Sequence, residues 1–408
     1  MTATDLITVR NAGITGRITV NLPASKSISN RLLVMRALSG GALEVENLST
    51  ADDTRLLDAA LRTNGNELWM GHAGTALRFG LAWAAVTPGV RTLKGSERLS
   101  QRPVGPLIDA LRTLGADITC TEREGYAPLR IAGRNLKGGS LTLDASVSSQ
   151  FITALMLIAP TLEGGLELNL SGKPVSTPYL RMTARLMRSA GVEVERTDTR
   201  IFIPESTYAE ATVEVEPDWS AASYFYTAVA LSRDLEVELL GLSAKSLQGD
   251  AAVADIFERF GVDTRFTARG ALLSASEIFD DSDSFDFLSC PDLAQTVAVA
   301  AAGLQIPFSL TGLQTLRIKE TDRIAALAAE LAKCGTGCKA EPDTLHIRHF
   351  SDVSDMPSIA TYHDHRMAMA FAPLALALGE ISIEDPEVVT KSFPEFWAEM
   401  GKVLQVVR

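Results

Sequence analysis

The sequence predicts an α/β fold built from six similar units of mixed helix and strand. Two series of segments indicate this. Segments of the first series open with polar or charged residues and continue with small and branched apolar residues on nearly all sides, which is typical of a buried helix. Segments of the second series are amphipathic, end at a glycine and continue with alternating residues, as a capped helix followed by a strand does. Because both series recur in phase, we prefer two similar domains of three units each to an ordinary doubly wound α/β fold.

The first series has six members, and their starts lie 47 to 76 residues apart. They begin at Ser25, His72, Ser148, Ser220, Pro291 and Asp364. The second series has four clear members, a weaker copy around Gly65 and a further one at the carboxyl end. The glycines of the clear members are Gly115, Gly191, Gly261 and Gly335. The letters GVEVER from Gly191 predict a strand.

Length and charge limit the classes of function. A chain of 408 residues predicts two or three domains. Lys and Arg number 38 against 50 Asp and Glu, a formal net charge of −12, so a general nucleic-acid or anionic-membrane binder is not expected. Four cysteines are too few for a disulfide scaffold. With neither a signal peptide nor a membrane span apparent, we expect a cytoplasmic protein.

The openings of the first series have a shared electrical property. A helix N-terminus offers unpaired N–H groups and about half a positive charge, which suits phosphate or carboxylate. If several openings converge, an acidic protein acquires an anion site. The residues at or near these openings are Lys26, Ser27, Gly74, Thr75, Ser148, Ser149, Asp292, His365 and Arg366.

Two amino-terminal motifs could bind anions, and each has a structural alternative. In LPASKSISNRLL, Lys26 could hold a phosphate and Arg31 a carboxylate, but a serine-capped helix with two solvated cations fits equally well. In GHAGTALR, the glycines allow close approach of an anion, although packing also selects glycine. Arg102 precedes a proline expected at the first helical position, where an arginine opposes the helix dipole.

The carboxyl-terminal half has three further motifs. In RIKETDRI, Lys319, Glu320 and Arg323 fall at i, i+1 and i+4. Glu320 and Arg323 are therefore predicted to be neighbours on one helix face, where a surface ion pair is the favoured interpretation, and Thr321 is available as a cap. In YHDHRMAMAF, a metal is disfavoured because Arg366 would repel it, so anion binding is preferred. Asp292 could be a helix cap or a base.

The order of the motifs carries more information than any one of them. LPASKSISNRLL, GHAGTALR, RPVGPLIDALRTLGA, VSSQFITALML, VSTPYL, DWSAASYF, PDLAQT, RIKETDRI, YHDHRMAMAF and KSFPEF together resemble the 5-enolpyruvylshikimate-3-phosphate (EPSP) synthase family. The resemblance implies a two-domain inverted α/β barrel with three βαβαββ units in each domain. It places one domain at residues 22–216, the other at 1–21 with 217–408, and the active site in the cleft between them.

The resemblance also implies the reaction and its partners. The enolpyruvyl group of phosphoenolpyruvate is transferred to the 5-hydroxyl of shikimate 3-phosphate with release of phosphate, in the sixth step of the pathway to chorismate. No metal and no organic cofactor is implied, and neither nucleic acid nor membrane is a partner. We expect a monomer whose domains close on shikimate 3-phosphate.

Site residues follow from the matching motif positions. By resemblance, Asp292 is the base, Glu320 moves the proton at the methylene carbon, and Lys26, Lys391 and His365 complete the catalytic set. The residues implied for shikimate 3-phosphate are Lys26, Ser27, Arg31, Ser148, Ser149, Gln150, Ser176, Tyr179, Asp292 and Lys319. Those implied for phosphoenolpyruvate are Lys26, Gly74, Arg102, Gln150, Arg323, Arg366 and Lys391.

The sequence departs from the family pattern at His72, Phe79, Thr315 and His363, which leaves the glyphosate response open. Two rivals remain. The sister carboxyvinyltransferases that act on UDP-N-acetylglucosamine carry a cysteine on the loop before the Arg-Pro helix, and the loop KGSERLSQRPVG has none. A catalytically silent anion-binding protein is disfavoured because Lys26, Asp292, Glu320 and Lys391 are all present.

Overall fold

The chain has a mixed α/β fold that divides into two compact units. A computed structural model describes residues 5–146, 148–172, 175–278 and 283–408. Unit 1 comprises Met1–Pro23 with Glu216–Arg408, and unit 2 comprises Ala24–Val215. Unit 1 opens with two strands, β1 (Leu6–Arg10) and β2 (Gly16–Val20), before the chain enters unit 2.

Unit 2 alternates helices with short strands. The elements in chain order are α1 (Lys26–Leu38), β3 (Leu43–Glu46), α2 (Asp52–Arg62), β4 (Glu67–Trp69), α3 (Gly74–Val86), β5 (Gly89–Lys94), α4 (Glu97–Ser100), α5 (Gly105–Thr113), β6 (Asp117–Cys120), β7 (Leu129–Gly133), β8 (Lys137–Asp144), α6 (Ser149–Ile158), β9 (Glu163–Ser171), α7 (Thr177–Ser189), β10 (Glu195–Arg196), β11 (Arg200–Ile203) and β12 (Ala211–Glu214).

Two sheets of unit 2 repeat one topology. Their strand orders are β4-β5-β7-β6 and β10-β11-β9-β8. In each sheet one parallel pair, β4 with β5 or β8 with β9, is joined through a helix, and the remaining pairs are antiparallel. Parallel neighbours need such a crossover, which α3 and α6 provide. A third, two-stranded sheet pairs β12 with β3 in parallel.

Unit 1 resumes after unit 2 with the same alternation. Its elements are α8 (Trp219–Ser232), β13 (Leu235–Leu240), α9 (Val253–Glu258), β14 (Val262–Phe266), β15 (Gly270–Ala275), β16 (Ser284–Asp286), α10 (Ala294–Gly303), β17 (Phe308–Thr311), α11 (Arg323–Lys333), β18 (Thr336–Ala340), β19 (Leu345–Phe350), β20 (Ser358–Ile359), α12 (His365–Phe371), α13 (Ala375–Leu378), β21 (Glu380–Glu384), α14 (Phe396–Met400) and β22 (Gln405–Val407).

Strand pairing explains why unit 1 takes both ends of the chain. Its sheets have the orders β14-β15-β13-β2, β16-β17-β19-β18 and β20-β21-β1-β22. Strand β1 runs antiparallel to β21, with Leu6 opposite Glu384, and β2 runs parallel to β13, with Gly16 opposite Leu235. The first strands are therefore completed only by residues that follow unit 2.

The six predicted buried helices are confirmed. They are α1, α3 and α6 of unit 2, which contact one another, and α8, α10 and α12 of unit 1, which do the same. Each begins within three residues of its predicted opening. In α10 every residue from Ala294 to Ala302 is buried, as expected for a helix that is apolar all round. Within the described residues, no helix combines the length and hydropathy needed to cross a bilayer.

The predicted glycine caps are also confirmed, although one predicted strand is not. Gly115, Gly191, Gly261 and Gly335 have φ angles of 95°, 80°, 72° and 74°, the left-handed region that glycine adopts without strain at the end of a helix. After Gly191, however, only Glu195–Arg196 forms a strand (β10), so the prediction that the whole of GVEVER is extended in a sheet was wrong.

Candidate active site

Arg323 organises a cluster of charged side chains in unit 1. It is the first residue of α11 and is 1% exposed. Its Nε donates to Asp364 Oδ2 at 2.7 Å, and its Nη1 donates to Asp292 Oδ1 at 3.1 Å. Burial alone would lower the pKa of the guanidinium, but the nearby carboxylates outweigh burial and raise it. Arg323 is thus a fixed cation that orients several acids.

Glu320 lies between two cations of this cluster. Its Oε2 accepts a hydrogen bond from Arg323 Nη2 at 3.0 Å, and its Oε1 is 2.9 Å from Lys391 Nζ. Lys391 ends a short 3₁₀ segment, Pro386–Lys391, and is buried. The arrangement leaves a carboxylate beside a lysine that could receive a departing anion.

Asp292 is also held by several cations. Its Oδ2 accepts from Arg366 Nη2 at 2.9 Å, and its Oδ1 lies 4.0 Å from Lys319 Nζ in addition to the contact with Arg323. The residue lies in a 3₁₀ turn, Pro291–Leu293, just before α10. The structure therefore directs its carboxylate to arginines and does not use it as a helix cap.

The acid Asp364 connects α11 with α12. It caps α12 through a hydrogen bond from the Arg366 N–H to its Oδ1 at 3.0 Å, while both oxygens accept from Arg323. His365 follows it, is buried, and has its Nδ1 3.5 Å from Asp364 Oδ1. One carboxylate thus sets the position of both arginines.

Two local expectations for RIKETDRI were wrong. Glu320 and Arg323 do form an ion pair, but Arg323 is buried and Glu320 half-buried, so the pair is not on the surface, and Glu320 precedes the helix. The cap is Asp322, whose Oδ1 accepts from the Ala325 N–H at 3.1 Å, and not Thr321. The four residues before the helix, 319–322, are therefore not helical, and two of them, Lys319 and Glu320, contact the acids and cations of this cluster.

In unit 2, Lys26 and Arg31 lie on α1. Lys26 Nζ donates to Asp53 Oδ2 at 3.1 Å. Arg31 is 3% exposed, donates to Thr183 Oγ1 at 2.8 Å, and lies 5.7 Å from the centre of the Tyr179 ring. Burial lowers the pKa of Arg31 to about 10, opposed by Tyr179, so it stays charged at neutral pH. The alternative of two solvated cations on a helix capped by the Ser25 side chain was wrong, since Ser25 makes no such bond.

Gly74 is the first residue of α3 and lies against the side chains of Arg78 and Arg102. A Cβ placed on Gly74 would lie 2.6 Å from Arg102 Nη1 and 2.7 Å from Arg78 Nη1. Arg78 donates to the Gly74 carbonyl at 3.0 Å. Arg102 lies before α5, whose first-turn proline is Pro106, so the expectation that Arg102 borders the helix start was wrong. A side chain at this position would displace the ends of both guanidinium groups, so glycine leaves them room.

The N-terminus of α6 meets that of α3. Ser148 caps α6 by accepting from the Gln150 N–H at 3.3 Å, and Gln150 Nε2 donates to Thr75 Oγ1 at 3.3 Å. The neighbouring helix α7 begins after Ser176, which has a left-handed φ of 54° and is buried. Tyr179 then lies one turn into α7, beside Arg31. Ser149 is the first residue of α6 and is buried.

Three of the four departures from the family pattern have a described local partner. His72 Nδ1 lies 2.8 Å from Ser96 Oγ, and His363 Nδ1 lies 2.9 Å from Asp385 Oδ2. The Phe79 ring centre is 5.6 Å from the Arg31 guanidinium, a cation–π contact. Thr315 lies in the 3₁₀ segment Gln314–Ile318, ahead of Lys319.

Several residues of the clusters were missed by sequence reasoning. Asp53, which pairs with Lys26, belongs to no motif, and Ser220, which lies 3.4 Å from Arg366 Nη2, opens a predicted buried helix but was assigned no role. Asp364 carried a signal, since an acid before an apolar run predicts a cap. Across the described residues, no group of three or more His, Cys, Asp and Glu could hold a metal ion.

The chain is similar in sequence to known enzymes along nearly its whole length. The model of the EPSP synthase (3-phosphoshikimate 1-carboxyvinyltransferase) family matches residues 61–400. A 3-phosphoshikimate 1-carboxyvinyltransferase of Bacteroides fragilis strain YCH46 is 46% identical over 390 residues, covering 95% of each chain. One from Sulfurovum sp. is 38% identical over 413 residues, covering 94% of this chain and 96% of that protein.

Solved structures share the fold. The EPSP synthase from Acinetobacter baumannii superposes with a TM-score of 0.78 at 22% identity, covering 99% of this chain and all of that one. The enolpyruvyl transferase NikO from Streptomyces tendae gives a TM-score of 0.74 at 15% identity, covering 99% of this chain and 98% of the other. At these identities the likeness concerns the fold alone.

Proposed function

Because the chain belongs to the EPSP synthase (3-phosphoshikimate 1-carboxyvinyltransferase) family, we propose that it joins phosphoenolpyruvate to the 5-hydroxyl of shikimate 3-phosphate. The new bond links the hydroxyl oxygen to C2 of phosphoenolpyruvate, and the C2–O bond to phosphate then breaks. The observation that best supports this chemistry is the pair of acids Asp292 and Glu320 held by one arginine, Arg323. Two acids are what an addition followed by an elimination requires.

In the proposed first step, Asp292 takes the proton from the 5-hydroxyl. Arg323 and Arg366, which now donate to Asp292, would bind the carboxylate of phosphoenolpyruvate. That carboxylate competes for the same donors, so Asp292 loses hydrogen bonds to its charged form and becomes a better base. Binding of phosphoenolpyruvate would in this way increase the basicity of Asp292, which the hydrogen bonds from the two arginines otherwise lower.

Glu320 has the complementary role in this mechanism. In this mechanism Glu320 is protonated before the first step and gives its proton to C3 of phosphoenolpyruvate, which turns the methylene into a methyl group in the tetrahedral intermediate. In the second step it takes one proton back from that methyl group while phosphate leaves. Lys391, 2.9 Å from Glu320, and Lys26 would stabilise the departing phosphate, and the proton held by Asp292 passes to phosphate or solvent.

Further binding contacts are proposed from the matching motifs. Ser27 and Arg31 would hold the carboxylate of shikimate 3-phosphate. A set of polar residues would hold its phosphate and hydroxyls, with Tyr179 packed nearby. That set is Ser148, Ser149, Gln150, Ser176 and Lys319. The phosphate of phosphoenolpyruvate would lie among Gly74, Arg102, Gln150, Lys26 and Lys391. The N-termini of α3 and α6, which meet through the contact of Gln150 with Thr75, suit such anions.

We also propose the finer architecture of the family, an inverted α/β barrel of three βαβαββ units in each of the domains 22–216 and 1–21 with 217–408. Support comes from the buried central helices and from the strand order repeated in five sheets. In this proposal the charged residues around Arg323 and the residues around Lys26, Arg31 and Gly74 serve one reaction. That reaction consumes shikimate 3-phosphate in the pathway to aromatic compounds.

A phosphate-release assay with two acceptors tests the proposal. Wild-type protein should release phosphate from phosphoenolpyruvate when shikimate 3-phosphate is present and should release none with UDP-N-acetylglucosamine. Release with the nucleotide sugar alone would assign the chain to the sister activity. Binding of shikimate 3-phosphate without any release would support the silent anion-binding alternative.

A further inference from the structure

A second buried acid, Asp250, lies close to the arginine–carboxylate cluster of unit 1. It belongs to the 3₁₀ segment Gly249–Ala252 and is 3% exposed. The preceding residue, Gln248, fixes this segment, because its Oε1 accepts from the Trp219 N–H at 3.0 Å and its Nε2 donates to the Pro217 carbonyl at 2.7 Å. The segment is therefore tied to the start of α8.

One serine connects Asp250 with the cluster. The Ser220 hydroxyl, in the first turn of α8, donates to Asp250 Oδ2. Arg366 Nη2 lies 3.4 Å from Ser220 Oγ and 2.9 Å from Asp292 Oδ2. The same guanidinium nitrogen thus faces the proposed base on one side and the Ser220–Asp250 pair on the other.

The environment of Asp250 is poor for a charged carboxylate. Its other oxygen, Oδ1, is buried and has no hydrogen-bond donor among the described residues. Burial, followed by the carboxylate of Asp292, raises the pKa of Asp250 to about 7, while Arg366 and the Ser220 hydrogen bond act in the opposite direction. The charged or titratable groups that face it are Asp292, Arg366 and Asp218 together with the Cys290 thiol.

We propose that Asp250 is a positioning residue that controls, through Ser220 and Arg366, how strongly the enzyme binds the anionic enolpyruvyl donor. The inference rests on the proposed function, which assigns the carboxylate of phosphoenolpyruvate to Arg366. With Asp250 neutral, the charge of Arg366 is directed to Asp292 and to the donor. With Asp250 ionised, a second carboxylate attracts the same guanidinium and opposes the incoming anion.

The proposal gives a specific pH dependence. As pH rises from 6 to 8.5, Asp250 loses its proton and the KM for phosphoenolpyruvate should rise in the wild type. Asp250→Asn keeps the shape and an acceptor for Ser220 but cannot ionise, so its KM should stay near the low-pH value. The substrate's own phosphate has a pKa of about 6, so the ratio of wild-type to variant KM is the quantity to follow. We expect this ratio to rise roughly 3- to 10-fold.

Two more variants make the test specific. Ser220→Ala removes the hydroxyl that connects Asp250 with Arg366, so the KM step should become smaller, which gives an independent readout if Asp250→Asn fails to fold. Asp263→Asn changes an exposed acid of the same unit and should follow the wild-type profile. A KM ratio that stays constant with pH, or a KM step of unchanged size in Ser220→Ala, would overturn the role of Asp250. Wild-type protein without any transfer activity would instead overturn the proposed function, and this inference with it.

Discussion

Asp364 accepts two hydrogen bonds from the guanidinium of Arg323, at 2.7 Å from Nε and 3.2 Å from Nη2, and both side chains are buried. Two parallel bonds of this kind fix a planar guanidinium in position and orientation. Because the same guanidinium also donates to Asp292 and Glu320, the Asp364–Arg323 pair sets the geometry of both proposed acid–base residues.

Replacing Arg323 by Lys tests this dependence. A lysine keeps the charge but cannot donate in a fork, so Asp364 would lose part of its buried pairing. We expect the free energy of unfolding to fall by about 3 kcal/mol and kcat/KM to fall by roughly 100-fold or more. Urea denaturation and steady-state kinetics measure the two effects. Arg10→Lys, in an exposed pair with Glu380, is the matched control and should change neither. Wild-type kinetics in Arg323→Lys would contradict the organising role of Arg323.

The acid–base roles are tested by amide substitutions. Asp292→Asn and Glu320→Gln keep the size of each side chain but remove the group that moves a proton, so kcat should fall by about 100- to 10,000-fold. Shikimate 3-phosphate should still bind, as calorimetry would report. Glu341→Gln, at an exposed acid paired with Lys339, serves as the control. If both variants turned over at the wild-type rate, the assignment of base and acid would be wrong.

Gly74 gives a test of the phosphate site in unit 2. In Gly74→Ala the new Cβ would lie 2.6 Å from Arg102 Nη1, so the guanidinium must move. We expect the KM for phosphoenolpyruvate to rise by about 10-fold with little change in melting temperature. In Gly105→Ala, at the start of α5, the nearest atom is 3.5 Å away, an ordinary contact, so this variant is the control. Equal KM values in the two variants would count against the close packing of Arg102.

The buried acid Asp250 predicts a trend of stability with pH. Its folded pKa of about 7 lies above the ordinary value of about 3.9. The folded protein therefore retains a proton that the unfolded chain releases, and this stabilisation is lost as pH rises from about 4 through 7. The Asp250→Asn variant has no such proton to release, so its free energy of unfolding should rise relative to that of the wild type, by about 3 kcal/mol between pH 4.5 and 7.5. Urea denaturation at several pH values measures the difference. A constant difference would contradict the raised pKa.

Local pattern was sufficient to predict the six buried helices and the four glycine caps, whereas the site residues were proposed from the family resemblance. The start of α1 at Lys26 and the cap at Gly335 depend on residues that are adjacent in the sequence, so one sequence is enough to predict them. Contacts between residues that are far apart in the sequence cannot be predicted from such local patterns. The pairing of Lys26 with Asp53, and the link from Asp250 through Ser220 to Arg366, depend on how helices pack.

The same limit explains an error in the site. The pair of Glu320 with Arg323 was expected on a helix surface, because local spacing gives the distance between two side chains but not their burial. Burial came from Asp364, 41 residues further along the chain, which packs against Arg323.

Hydrogen exchange at C3 of phosphoenolpyruvate tests the central claim most directly. If Glu320 adds a proton to C3 and later removes one from the resulting methyl group, the reaction run in D₂O with shikimate 3-phosphate must introduce deuterium into the vinyl group of the product. Proton NMR and mass spectrometry should detect this label in the wild type and little in Glu320→Gln. A product formed at the wild-type rate with no deuterium at C3 would contradict addition followed by elimination.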